Sequence, residues 1–156
     1  MGEHHPPASP AEAQQMAERV AESMYGRDRA SQALGMRIVR VRPGRAEVSM
    51  RVRGDMLNGH RTCHGGFIFS LADSAFAFAC NSYNLTTVAS GCTIEFVAPA
   101  REDDMLTAVA QERSASGRTG VYDVEVTNQD GAAIAFFRGK SYRIKGHVLE
   151  GADPAE

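Results

Sequence analysis

Between Thr62 and Ile94 the chain carries a single charged residue, Asp73. It falls inside the stretch Gly65–Ser82. There Phe67, Ile68, Leu71, Ala72, Ala75, Phe76, Ala79 and Cys80 cover nearly the whole circumference of a helix. A helix that is apolar all round is buried rather than laid on a surface. A lone carboxylate buried without a partner costs several kcal/mol unless it is protonated. Two readings of Asp73 follow. Its carboxylate bonds to Ser70, Ser74 or a backbone group and sets the packing, or it is held in an apolar cleft with a perturbed pKa, poised as base or nucleophile.

The start of the same helix supplies a second chemical element. His64-Gly65-Gly66 follows the loop Asn58-Gly59-His60-Arg61-Thr62-Cys63. The free N–H groups and the dipole of a helix N-terminus stabilise a developing oxyanion, and glycine there removes the bulk that would keep a carbonyl group away. The plainer alternative is that the two glycines only let the helix enter tightly beneath a sheet. His60, Cys63 and His64 invite a zinc reading, but three ligands within five residues, with no HExxH pattern, make a thin site. No metal is expected. Cys63 is a poor nucleophile candidate without an identifiable base beside it, and neither a GxSxG nor a Walker sequence is present.

Gly65 and Asp73 are eight residues apart, so on one helix they are separated by about 12 Å along the axis and by roughly 80° around it. A reacting carbonyl must lie about 3 Å from both partners. One helix cannot do that, whereas two antiparallel copies related by a twofold can. If these residues form a site at all, the spacing implies one shared between two chains of a dimer.

The elements that must position these groups read as follows. Ser9-Pro10-Ala11-Glu12 opens an amphipathic helix that runs to about Tyr25. After Leu34 the period becomes two. A hairpin turns at Pro43-Gly44, and Ala46, Val48, Met50 and Val52 then alternate cleanly with polar residues. Beyond the central helix, strands are expected over Thr87–Val97, Asp104–Arg113, Gly120–Thr127 and Ala132–Lys145, the last two joined by the turn Asn128-Gln129-Asp130-Gly131. The fold class is α+β: a hairpin, one buried helix and a four-strand meander, forming a curved antiparallel sheet wrapped round that helix.

The 156 residues, 43% hydrophobic and 23% charged, suit one domain, here 9–145, with flexible ends at 1–8 (including His4 and His5) and 146–156. A net charge of −2 provides no basic field for nucleic acid. No apolar run approaches the roughly 20 residues of a membrane helix, and the first residues lack the layout of a secretory signal. Three cysteines without CxxC spacing read as free thiols in a reducing cytoplasm.

The long motif Met56-Leu57-Asn58-Gly59-His60-x-Thr62-Cys63-His64-Gly65-Gly66, followed by Phe69-Ser70-Leu71-Ala72-Asp73-x-Ala75-Phe76-Ala77, closely resembles the hotdog-fold acyl-CoA thioesterases, nearest their phenylacetic-acid-degradation (PaaI) group. The similarity continues through Cys80-Asn81-Ser82 and Val88-Ala89-Ser90-x-Cys92-Thr93-Ile94-Glu95-Phe96, and in element order over about 10–145. The resemblance implies hydrolysis of acyl-CoA thioesters, of phenylacetyl-CoA or ring-hydroxylated phenylacetyl-CoA type, without a cofactor. Asp73 would be the general base or nucleophile and the Gly65 N–H would polarise the carbonyl. Asn58 would place the water or the acid, and His64 would support the loop and the thioester. Gly66 and, weakly, Ser90 would contribute to substrate binding. It also implies homodimers with shared sites, commonly paired into homotetramers. The alternatives are a non-catalytic acyl-CoA-binding module and a hydratase on the same fold. Phe67, Phe76, Phe78 and Tyr83 are compatible with an aryl-acetyl pocket but also with plain core. The excess of arginine, 15 against 2 lysines, could serve CoA phosphates.

Overall fold

The computed structural model describes residues 9–149. The first helix, α1 (Pro10–Arg27), begins as the sequence indicates: Ser9 caps it by accepting from the Glu12 N–H at 3.2 Å, with proline in the first turn. Its apolar stripe buries Ala17, Val20 and Ala21. A short helix, α2 (Arg29–Ala33), follows, capped by Asp28. The hairpin β1 (Arg37–Arg42) and β2 (Arg45–Arg51) turns at Pro43-Gly44, where Gly44 has φ +73. A Cβ there would lie 2.7 Å from the Tyr83 hydroxyl, so glycine is required for space as well as conformation.

The central helix α3 (Gly65–Cys80) leads into β3 (Leu85–Phe96), β4 (Met105–Ser116), β5 (Thr119–Thr127) and β6 (Ala133–His147). All six strands form one antiparallel sheet in the order β1-β2-β4-β5-β6-β3. The helix runs alongside β3. Gly65 meets Phe96 at one end, and the Asn81 amide binds both backbone groups of Thr87 at the other. Yet α3 touches every strand. Six strands at about 4.8 Å spacing span more than twice a helix diameter of about 10 Å, so the sheet must curl round α3, as expected.

Close approach is possible because the facing residues are small. Ala72, Ala75 and Ala79 of α3 and Ala46, Ala108, Ala110 and Ala135 of the sheet are all inaccessible. At Gly139 an added Cβ would lie 2.8 Å from the Phe76 ring, which stacks edge-on with Tyr122 at 5.5 Å. This is a close-packed core in which one methylene would be felt.

The structure corrects the sequence reading at two points. The last four strands are not a simple meander: β4, β5 and β6 are, while β3 lies at the far edge beyond β6 and β4 pairs with β2. The Asn81 clamp on Thr87 turns the chain back along α3, and the inner edge beside β2 is left to β4. Nor is α3 covered all round. Gly66, Ser70, Asp73 and Ala77, spaced four, three and four, form a stripe that the sheet leaves partly open. Strand β6 continues to His147, and Val148 is buried. Residues 1–8 and 150–156, expected to be flexible, lie outside the described residues.

Candidate active site

The loop before α3 is built by Asn58. Its Oδ1 accepts from the N–H groups of His60 at 2.9 Å and Thr62 at 3.2 Å, and its Nδ2 donates to Thr62 Oγ1 at 3.1 Å. A backbone bond from Asn58 N–H to the Thr62 carbonyl and the bridge between Leu57 and Cys63 close the loop. Arg61 takes φ +62 at its tip. Asn58 is half-buried and is the residue that gives this turn its shape.

The loop delivers His64 to the helix cap. Its Nδ1 accepts from the Gly66 N–H at 3.0 Å. An imidazole nitrogen that accepts carries no proton, so in the neutral ring the proton is on Nε2, a donor on the exposed side. The Phe67 N–H goes to the His64 carbonyl. The Gly65 N–H, at the first helical position, has no acceptor in the helix and none elsewhere among the described residues. A Cβ on Gly66 would lie 3.1 Å from His64 Nδ1, and one on Gly65 would lie 3.0 Å from the Phe96 ring. The two glycines thus admit the capping imidazole and Phe96, and one N–H remains for a ligand. A cleft of about 400 Å³, lined by Thr62, Cys63, Gly65, Ile68, Phe96 and Pro99 among others, opens here.

Asp73 lies two turns further along α3. Neither serine beside it is its partner: Ser70 donates to the Gly66 carbonyl at 2.9 Å, and the Ser74 hydroxyl meets Ser31 at 2.8 Å. Among the described residues the Asp73 carboxylate makes no hydrogen bond and no ion pair. This removes the packing-anchor reading of Asp73 through Ser70 or Ser74. Burial, and secondarily the charge of Asp28, hold its pKa above the usual carboxylate range. On β3, burial and secondarily the charge of Asp73 raise the Cys92 thiol pKa.

The remaining candidates are placed as follows. His60 is exposed at the loop tip, and no three His, Cys, Asp or Glu side chains converge among the described residues. The Cys63 thiol is buried and pushed up to about 11, so little thiolate exists near neutrality. Ser90 sits at a bulge of β3 and donates to the Lys140 carbonyl at 3.2 Å. Of the four aromatic candidates, Phe76 and Phe78 are core, and Tyr83 donates to Glu112 at 2.9 Å near the other end of α3. Phe67 alone stands at the cap, its ring 6.1 Å from that of His64.

Sequence reasoning missed the tie between α2 and α3 through Ser31 and Ser74, and also Phe96 over Gly65. The Asp28-x-x-Ser31 spacing, a helix-cap signature, was the only sequence signal for either.

The chain as a whole is similar to known proteins. Residues 60–135 match the family described as the thioesterase superfamily. The chain is 52% identical over 128 residues to the acyl-coenzyme A thioesterase PaaI of Escherichia coli K12, covering 82% of this chain and 91% of that protein. The solved structure of the E. coli PaaI protein from the phenylacetic acid degradation operon superimposes with a TM-score of 0.86 at 50% identity, over 86% of this chain and 98% of the other. A variant of the phenylacetic acid degradation protein PaaI from Thermus thermophilus gives 0.73 at 39% identity, over 75% of this chain and all of its own. With its helix-wrapping sheet, its motif and this extent of identity, the chain belongs to the thioesterase superfamily, among the hotdog-fold acyl-CoA thioesterases of the PaaI group.

Proposed function

We propose that this chain hydrolyses the thioester of phenylacetyl-CoA, or of a ring-hydroxylated phenylacetyl-CoA, to the free acid and CoA in phenylacetate catabolism, using a site shared between two chains. The observation that carries this reading is the pair of groups on α3 left unsatisfied among the described residues: a carboxylate without a partner and a helix-start N–H without an acceptor. The Gly65 N–H donates to the thioester oxygen and bonds more strongly as negative charge grows there, where stabilisation lowers the barrier. Asp73 of the other chain acts as general base toward water or as nucleophile toward the carbonyl carbon. His64 Nε2–H is a second donor at the thioester, Asn58 shapes the loop that aims it, and Gly66 binds His64 so that the ring cannot turn away. Ser90 plays at most a minor binding part. No metal or other cofactor enters.

The dimer is supported by the open stripe on α3 and by β3. This 12-residue edge strand is hydrogen-bonded on one side only and exposes Val88 and Phe96. A long unpaired edge is a template for pairing with another strand. Pairing of dimers into a homotetramer completes the assembly. No helix among the described residues is long and apolar enough to cross a membrane, and the free cysteines suit a cytoplasmic protein.

The test is thiol release with a panel of acyl-CoAs. Release with a preference for aryl-acetyl thioesters is expected. Binding without thiol release would reveal a binding module, and addition of water to an enoyl-CoA would reveal a hydratase.

A further inference from the structure

The cleft beside the start of α3 offers a ligand little besides apolar surface. It is lined by Thr62, Cys63, Ile68, Phe96, Val97 and Pro99 among others and has a volume of about 400 Å³, within the range of small-molecule sites. Its polar side chains are already engaged: the Thr62 hydroxyl donates to Asn58 Oδ1 at 3.3 Å, and the Cys63 thiol to the His64 carbonyl at 3.6 Å. The N–H groups of Val97 and Ala98 go to the Ile134 carbonyl, that of Cys63 goes to the Ala100 carbonyl, and Pro99 has none. No charged side chain takes part in the lining. Gly65, whose N–H has no acceptor among the described residues, lines the same cleft.

Phe96 closes one side. It is the last residue of β3, and its ring lies against Gly65: a Cβ on that glycine would be 3.0, 3.3 and 3.4 Å from three ring atoms. The residue is nevertheless 51% exposed, so it is a wall of the cleft and not core. A thioester whose oxygen accepts from the Gly65 N–H at about 3 Å must set its carbonyl beside this ring. Two arms leave that carbonyl. The CoA arm carries amides, hydroxyls and phosphates, which would lose hydration in the cleft without finding a cation or an uncommitted side-chain donor, and that is costly. The acyl arm of an aryl-acetyl thioester is hydrocarbon, and Ile68, Val97, Pro99 and the face of a second aromatic ring are the surroundings that favour it.

We propose that Phe96 is a specificity-determining residue: its ring forms the wall against which the aryl group of the acyl arm packs while the thioester oxygen is held at Gly65. This rests on the reading of the Gly65 N–H as the donor to that oxygen. Aromatic rings packed offset or edge-on gain more than their buried area alone provides, so the wall selects aryl-acetyl over short aliphatic thioesters.

One measurement of turnover and one of binding alone test this. Phe96→Leu keeps an apolar side chain but removes the ring. The ratio of kcat/KM for phenylacetyl-CoA to that for acetyl-CoA is expected to fall by about 2- to 10-fold, the gain of one aromatic pair. General damage to the fold would lower both values and leave the ratio alone. The chain has no tryptophan, so Phe96→Trp puts its sole indole fluorophore in the wall. The emission is expected to shift on binding S-(2-phenylethyl)-CoA, a thioether that cannot be hydrolysed, and to stay in place on binding S-methyl-CoA, which has the same CoA arm; calorimetry confirms that each is bound. An unchanged kcat/KM ratio in folded Phe96→Leu, or equal emission shifts with both thioethers, would overturn the proposal. A shift confined to the phenylethyl ligand, in a protein that releases thiol from no acyl-CoA, would leave the proposal standing and sink the hydrolase reading.

Discussion

Two carboxylates lie partly buried against the central helix, and they are treated in opposite ways. Glu112, near the C-terminal end of α3, receives the hydroxyls of Tyr83 at 2.9 Å and Tyr122 at 2.8 Å on one oxygen, and each tyrosine is held protonated by burial and by that bond. Asp73, midway along the same helix, receives no hydrogen bond among the described residues, and Ser70 and Ser74 bond elsewhere. A satisfied buried acid tethers elements. Here Glu112 joins β4, β5 and the end of α3. An unsatisfied one is a cost without structural return, and such costs are carried where chemistry needs them. On the proposed function, the contrast is that between an anchor and a reagent within one molecule.

The sharpest way to break the contrast uses two chains. Asp73→Ala removes the acid, and Gly65→Pro removes the helix-start N–H. His64 at φ −59, ψ 131 already has the extended conformation a following proline demands, and the first helical position tolerates proline. The added Cβ meets the Phe96 ring at 3.0 Å, so melting curves check that the variant folds. Each homodimer should be nearly inactive. A purified heterodimer gathers both lesions in one site and leaves the other intact, so activity should return to about half per dimer. A folded heterodimer without activity would mean that Gly65 and Asp73 of one chain serve the same site, so that each site carries one lesion, and would overturn the shared site.

A smaller effect lies in pH. Because the Asp73 pKa is raised in the folded chain, the acid limb of kcat/KM should have its midpoint above the ordinary value of about 4, and activity should fall as pH drops through it. The stability linkage has the opposite sign. Between the unfolded and folded pKa values the native state binds more protons, so stability falls as pH rises through that window. Asp73→Asn should therefore melt no lower than the parent at neutral pH and should lose this dependence. A lower melting temperature at pH 7 would show that the charge is stabilised after all. Smallest on catalysis is Glu112→Gln, which weakens both tyrosine bonds. Denaturant titration should show a loss of about 1–3 kcal/mol, with turnover unchanged in the folded protein.

The elements were readable where local chemistry decides them. Ser9-Pro10 marks the start of α1, Pro43-Gly44 marks the first hairpin, and the apolar run after Gly65 marks α3. The place of β3 was not readable, because strand order is a tertiary choice that local periodicity does not encode. Most positions of β3 are accessible on both faces in the single chain, so its pattern is weak. In the site, Asp73 stood out as a lone charge, and Gly65 and His64 by their position before an apolar run. The Ser31–Ser74 bond joins residues 43 apart, and Phe96 lies against Gly65 only because β3 turns back along α3. Neither leaves a trace in sequence spacing. The aromatic residues misled for the complementary reason: type alone does not distinguish Phe67 at the cap from Phe76 in the core.

The central claim is that Asp73 goes unsatisfied because it is the reacting acid. The direct measurement is turnover of Asp73→Asn, at matched fold and assembly, on every acyl-CoA that the parent hydrolyses. A loss of about two orders of magnitude or more is expected from removing a positioned base or nucleophile, with circular dichroism and melting behaviour retained. Near-parental turnover in a folded Asp73→Asn protein would contradict the account.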